Sequence, residues 1–184
     1  MNKGDSDYMA MLNNPTINPG PKQHQEQQSI SSSKSLDTAT SFDTLTSTCN
    51  TVKDVSKDLM LVSESDEPFE WVSADWEKAD LPTAQEIINL GWVDQNASTL
   101  SSCKTKTLDQ FFEPMMDETN DPYKQAKNFQ SLYKTFKEAF NNNNGQVYLF
   151  GQGSITVLVL GIINASGSGR GRALAGLRSL LVQT

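Results

Sequence analysis

The sequence predicts a mixed α/β domain behind a disordered N-terminal tail. Three observations point there. Residues 44–57 and 121–140 carry apolar side chains at helical spacing. Gln146–Phe150 and Ile155–Leu160 are short apolar runs bounded by Asn and Gly, as strands are. Residues 1–43 are rich in Asn, Gln, Ser, Thr and Pro, with apolar residues scattered without period. Such a segment buries too little surface to offset its ordering entropy. The organisation is therefore a tail, 1–43, and one domain, 44–184. Deleting the tail is expected to leave thermal stability nearly intact.

Each element has its own signal. Leu45, Cys49, Val52 and Val55 fall on one face of a first helix. Leu59-Met60-Leu61-Val62 leads into an acidic stretch, Ser63 to Glu67, and Phe69 to Val72 suits a strand. Thr83-Ala84-Gln85-Glu86 is a capping box opening a helix through Ile87, Ile88 and Leu90, with Gly91 as its stop. Lys104–Leu108 suits a short strand, with Phe111 and Phe112 packing after it. In the main helix Asp121 is the expected cap and Pro122 the first helical residue. Its apolar face holds Ala126, Phe129, Leu132, Tyr133, Phe136 and Phe140. The last segment, Ala173–Val182, fits two patterns. Leu174, Leu177 and Leu181 suit a helix face, which periodicity favours, whereas Leu180 and Val182 suit one face of a strand.

Composition narrows the function. The chain has 184 residues, a net charge of −7, one His and two Cys. An acidic chain is a poor general binder of phosphate backbones. One His and two Cys exclude a His/Cys zinc cluster and a disulfide scaffold. No secretory signal or spanning apolar run is visible, so a cytoplasmic protein with free thiols is expected. Charge is divided within the domain. Residues 58–121 hold 15 Asp and Glu against three Lys, a balance of −12, while residues 122–184 balance at +6. Two readings stay open: solvated faces of opposite sign, or an acidic half that meets a basic partner.

The chemistry-bearing candidates are few. His24 lies in the tail. Glu64, Asp66, Glu67 and Glu70 read first as solvated carboxylates. Gly167-Ser168-Gly169-Arg170-Gly171 matches a G-x-G-x-x-G string only in part and reads as a loop. Arg170 and Arg172 offer a weak handle for single-stranded nucleic acid. Trp71, Trp76 and Trp92 read as core or rim, Cys49 as a small buried hydrophobe, and Cys103 as a thiol with no activating neighbour.

Ser63 to Glu70, Phe111-Phe112, Phe129-Gln130, Gln146 to Gly151, Val157 to Gly161 and Leu174 to Thr184, taken in that order, resemble segments of the nuclease A inhibitor family. Ser63 to Glu70, after Leu59 to Val62, is similar to its S-E-S-x-x-P-F-E segment. Phe111-Phe112 resembles its paired Phe, and Phe129-Gln130 its F-Q-x-L helix. Gln146-Val147-Tyr148 with Gly151 resembles Q-V-Y-x-x-G, and Val157, Val159 and Gly161 resemble V-x-V-x-G. Leu174-Ala175-Gly176-Leu177, ending in Val182-Gln183-Thr184, resembles its L-A-G-I segment and V-V-E-T terminus.

The resemblance implies a three-layer α/β/α sandwich of the pathogenesis-related-protein-1 type, which makes Ala173–Val182 a strand. It implies a protein inhibitor, not an enzyme, with no cofactor. Its partner would be a sugar-nonspecific, metal-dependent endonuclease, blocked by stoichiometric occlusion. Glu64 stands where the family has a contact Glu, with Ser63, Ser65 and Asp66 beside it. Thr184 stands where the family's terminal Thr reaches the nuclease's metal, a role for hard oxygen ligands. The family's contact Trp before the main helix has Pro122 and Tyr123 as nearest counterparts, with Tyr123 as a reduced aromatic anchor. The alternatives are a diverged binding module on the same fold, and a nucleic-acid binder acting through Arg170 and Arg172.

Overall fold

The computed structural model describes residues 36–64, 66–93, 101–141, 145–166 and 171–182. The core is built around one antiparallel sheet of five strands. These are β3 (Glu70–Asp75), β4 (Lys104–Thr107), β5 (Gly145–Phe150), β6 (Ser154–Asn164) and β7 (Arg172–Val182), in the order β3-β7-β6-β5-β4. A separate two-stranded ribbon pairs β1 (Met60–Leu61) with β2 (Glu67–Pro68). The helices are α1 (Asp43–Ser56), α2 (Ala84–Leu90), α3 (Leu108–Phe112) and α4 (Ala126–Ala139).

The interior strands β6 and β7 are apolar on both faces, and alternate residues feed two separate cores. Val157, Val159 and Ile163 of β6, with Ala173, Ala175 and Leu177 of β7, join Leu45 and Val52 of α1 and Phe129, Leu132 and Phe136 of α4. Leu158, Leu160 and Ile162, with Leu174, join Ile87 and Ile88 of α2, together with Trp76 and Trp92. The terminal segment is thus a strand, as the resemblance implied and against its helical periodicity. A residue buried on either face leaves no polar-apolar alternation to read.

Two glycines of the matched segments are explained by close approach. A Cβ on Gly161 would lie 2.2 Å from the ring of Phe140, which stacks on Phe136 with centroids 5.1 Å apart. A Cβ on Gly176 would meet the Val159 carbonyl oxygen at 1.8 Å.

Other expectations hold in detail. Thr83 and Glu86 form the capping box of α2, and Gly91 closes that helix at φ 76°. Trp71, Trp76 and Trp92 are buried, and Cys49 is half-buried against the first core. The main helix starts later than the sequence suggests, at Ala126. Lys124 takes a left-handed backbone, φ 58°, and Pro122 lies outside the helix. Asp121 still serves the helix start, because its carboxylate accepts from the amides of Gln125 and Ala126, both at 2.8 Å.

Residues 36–42, within the stretch assigned to the tail by composition, lie along the outer edge of β3. The amide of Thr38 donates to the Ser73 carbonyl and the amide of Ser73 to the Leu36 carbonyl, each at 2.9 Å. Ser73 also donates its hydroxyl to Asp37. The Thr40 amide donates to Asp75 at 2.7 Å. Leu36 packs on one core and Ala39 and Phe42 on the other. Among the described residues, no helix is long and apolar enough to cross a membrane.

Candidate functional site

The described candidate residues, Ser63, Glu64, Asp66 and Tyr123, gather at one end of the sheet because of how the β1–β2 ribbon is tied down. Leu59 and Leu61 point into the core, while Met60 and Val62 alternate outward. The turn between the strands carries Ser63, Glu64 and Asp66. It is held from within: the Ser63 amide donates to the Asp66 carboxylate at 3.3 Å, and Asp66 takes a left-handed φ of 44°. Asp tolerates that region better than most residues, since its short polar side chain can bond locally.

Two bonds fasten this acidic turn to the end of β7. The Glu64 amide donates to the Val182 carbonyl at 3.4 Å, and the Ser179 hydroxyl donates to the Glu67 carbonyl at 3.1 Å. Arg178 adds an ion pair to Glu70 at 3.0 Å. Glu64 is therefore placed beside Val182, two residues before Thr184. Ser65 and Thr184 themselves lie outside the described residues.

A third segment closes the site. The Met60 amide donates to the Gln125 side chain at 3.0 Å, which ties the ribbon to the loop that precedes α4. That loop carries Tyr123. Among the described residues the exposed large hydrophobic side chains are Met60, Val62 and Tyr123, at 44, 50 and 57% exposure, and all belong to this end. Between Val62 and Tyr123 opens a cavity of about 250 Å³, walled by Pro114, Met115 and Pro122 with Phe129 among its lining. Phe129 is itself buried and packs edge-on against Phe69. The Asp117 carboxyl is held below its usual range by bonds from the hydroxyl and amide of Thr119.

The resemblance assigned Ser63, Glu64, Asp66 and Tyr123, which the fold brings to this end, together with Ser65 and Thr184, and it did not include Met60, Val62 or the cavity. The signal was present. Alternation about the inward Leu61 puts Met60 and Val62 on one outward face.

Arg172 lies elsewhere. Arg172 pairs with Asn164 in the register that sets Val182 opposite Ser154. Strands of eleven residues put the two ends about 34 Å apart. The Arg172 guanidinium donates to the Asn164 side chain at 2.9 Å and to the Glu77 carbonyl at 3.2 Å. An open cleft of about 650 Å³ beside it involves Thr40, Asp75, Trp76 and Asn164. Arg170 and His24 lie outside the described residues. Burial pushes the Cys103 thiol up, away from the range of a reactive thiolate.

The comparison with family models falls on this same chain segment. The model described as nuclease A inhibitor-like protein matches residues 46–184, and the chain belongs to that family. Membership points to a nuclease as partner and to an inhibitory role. A search of curated proteins finds no match.

Proposed function

We propose that the protein inhibits a sugar-nonspecific, metal-dependent endonuclease by stoichiometric occlusion of its active site, inside the cytoplasm. The observation that carries this reading is the pair of bonds joining the acidic turn to β7. They set Glu64 beside Val182, at the end of the strand that leads to Thr184, which supports reading the two positions that the family resemblance assigns to contact as parts of one surface. A nuclease site holds phosphate next to a divalent cation amid basic residues. Glu64 and Asp66 supply carboxylates where phosphates would sit, and Thr184 supplies hard oxygen ligands to the cation. Ser63, Ser65 and Tyr123 complete the contact surface. The −12 balance of residues 58–121 speeds the encounter with a basic groove. Helices that feed separate cores on the two faces of the sheet support the three-layer sandwich of the pathogenesis-related-protein-1 type.

Titrating the protein into a metal-dependent nonspecific nuclease that digests plasmid DNA tests the reading. An endpoint near one to one is expected. Full digestion in excess protein would overturn it.

A further inference from the structure

The cavity between Val62 and Tyr123 has no role in the metal-capping scheme, yet it is built into the same surface. Its lining is mostly apolar: Val62, Pro114, Met115, Pro122, Tyr123 and Phe129. At about 250 Å³ it falls below the roughly 300–1,000 Å³ of a small-molecule site and suits one inserted side chain. Pockets of that kind at interface centres take the anchoring residue of a partner.

The charge around it selects the anchor. The lining includes one carboxylate, Asp121, and in sequence the flanking stretches 62–67 and 113–125 add Glu64, Asp66, Glu67, Glu113, Asp117 and Glu118 against a single cation, Lys124. A purely apolar anchor would draw nothing from those carboxylates and would hinder their hydration. An arginine satisfies both features. Its methylene stem lies along apolar walls while its planar head stays at a polar rim. The guanidinium stacks on an aromatic face and pairs with carboxylates, and it is less strongly hydrated than an ammonium. Tyr123, 57% exposed at the rim, supplies the aromatic face. Met115 supplies an adaptable wall.

We infer that this cavity is an arginine-accepting socket, in which the stem of a partner's arginine packs among Met115, Val62 and the neighbouring prolines and its head meets Tyr123 and the Asp121 carboxylate. This rests on the inhibitor reading for the identity of the partner, a nuclease with a basic surface. The socket is separate from the Glu64 and Thr184 contacts in the chemistry it recognises, since it takes a side chain and not a metal.

Two measurements test it. In the first, N-acetyl-arginine amide and its neutral isostere N-acetyl-citrulline amide are titrated into the full chain, and the methyl resonances of Met115 and Val62 are followed by NMR. The arginine probe is expected to shift both, with at least tenfold weaker binding of the citrulline probe. Equal shifts from the two probes, or none, would overturn the arginine assignment. In the second, Val62→Ala and Tyr123→Ala, both at exposed positions, are combined and assayed in the plasmid-protection titration. If the wild-type protein inhibits, the double variant is expected to bind the nuclease at least tenfold more weakly with an unchanged thermal midpoint. An unchanged dissociation constant would remove the socket and leave the inhibitor reading standing. If the wild-type protein fails to inhibit, the inhibitor reading falls, and the probe titration alone decides whether the socket takes arginine.

Discussion

Removing the Asp121 carboxylate tests how the fold supports the surface. α4 begins at Ala126 without a side-chain bond from the residue just before it, and Asp121, further upstream, fills that role. Two charge-assisted bonds of 2.8 Å, both part-buried, run to the Gln125 and Ala126 amides. Losing a helix-capping acceptor costs about 1 kcal/mol, and bonds to a charged group contribute about 1.5–3 kcal/mol. Asp121→Ala is therefore expected to destabilise by about 2 kcal/mol. At 2–4 °C per kcal/mol, that lowers the thermal midpoint by about 4–8 °C. In urea it lowers the midpoint by about 1 M. Asp121→Asn keeps an acceptor oxygen but not the charge, and recovers about half of the loss. Because Tyr123 lies in the loop closed by these bonds, the alanine variant also inhibits more weakly, and the asparagine variant, which keeps the loop but not the charge beside the socket, falls between it and wild type. Thermal and urea melts followed by circular dichroism read the first effect, and the plasmid titration reads the second. A midpoint for Asp121→Ala equal to wild type would show that the loop and helix start are held by other contacts, and the reasoning would fail.

Glu64→Ala is expected to weaken nuclease binding by about 1–3 kcal/mol if its carboxylate meets a desolvated positive group, as an isothermal titration would show. Adding residues after Thr184 is expected to reduce inhibition, and an extended protein of equal potency in the same assay would remove Thr184 from the proposed contact. Hydrogen bonds from Lys78 and then from Thr83 pull the Glu86 carboxyl from its ordinary 4.5 to about 2. That carboxylate stabilises the fold above its unfolded pKa, and the contribution is lost as pH falls from about 4.5 towards 2. Glu86→Gln is expected to flatten the stability profile across that window in acid denaturation. Deleting residues 1–35 keeps every strap contact described above. Deleting through residue 42 removes the bonds to Ser73 and Asp75 and lowers the thermal midpoint, as scanning calorimetry on the two truncations would resolve.

Much of the fold was legible because its signals are local. The α2 capping box needs only Thr83, Glu86 and Gly91, and the apolar stripe of α4 needs only its own period. What failed depended on partners distant in sequence. β7 reads as a helix because its leucines serve two cores, and only the strands on either side decide the matter. The start of α4 was misplaced because Asp121 reaches its amides across a left-handed Lys124, which no propensity announces. The strap 36–42 looks like tail by composition, and its order comes from the β3 edge. In the candidate site, Glu64 and Tyr123 are assigned only through resemblance to family segments. Met60 and Val62 became visible once Leu61 was known to point inward.

The two outer edges of the sheet bear on how such a protein can be kept. An inhibitor that acts by the stoichiometric occlusion proposed above has to be stocked at no less than the amount of its target, so its copies meet one another often. Open strand edges under those conditions invite polymerisation. Here one flank is occupied by residues 36–38, which use the Ser73 backbone groups that another copy would need. The other flank, β4, is four exposed residues, Lys104-Thr105-Lys106-Thr107, whose two like charges repel a matching strand. Shelf life at high concentration is thus written into the margins of the sheet, away from the proposed contact surface.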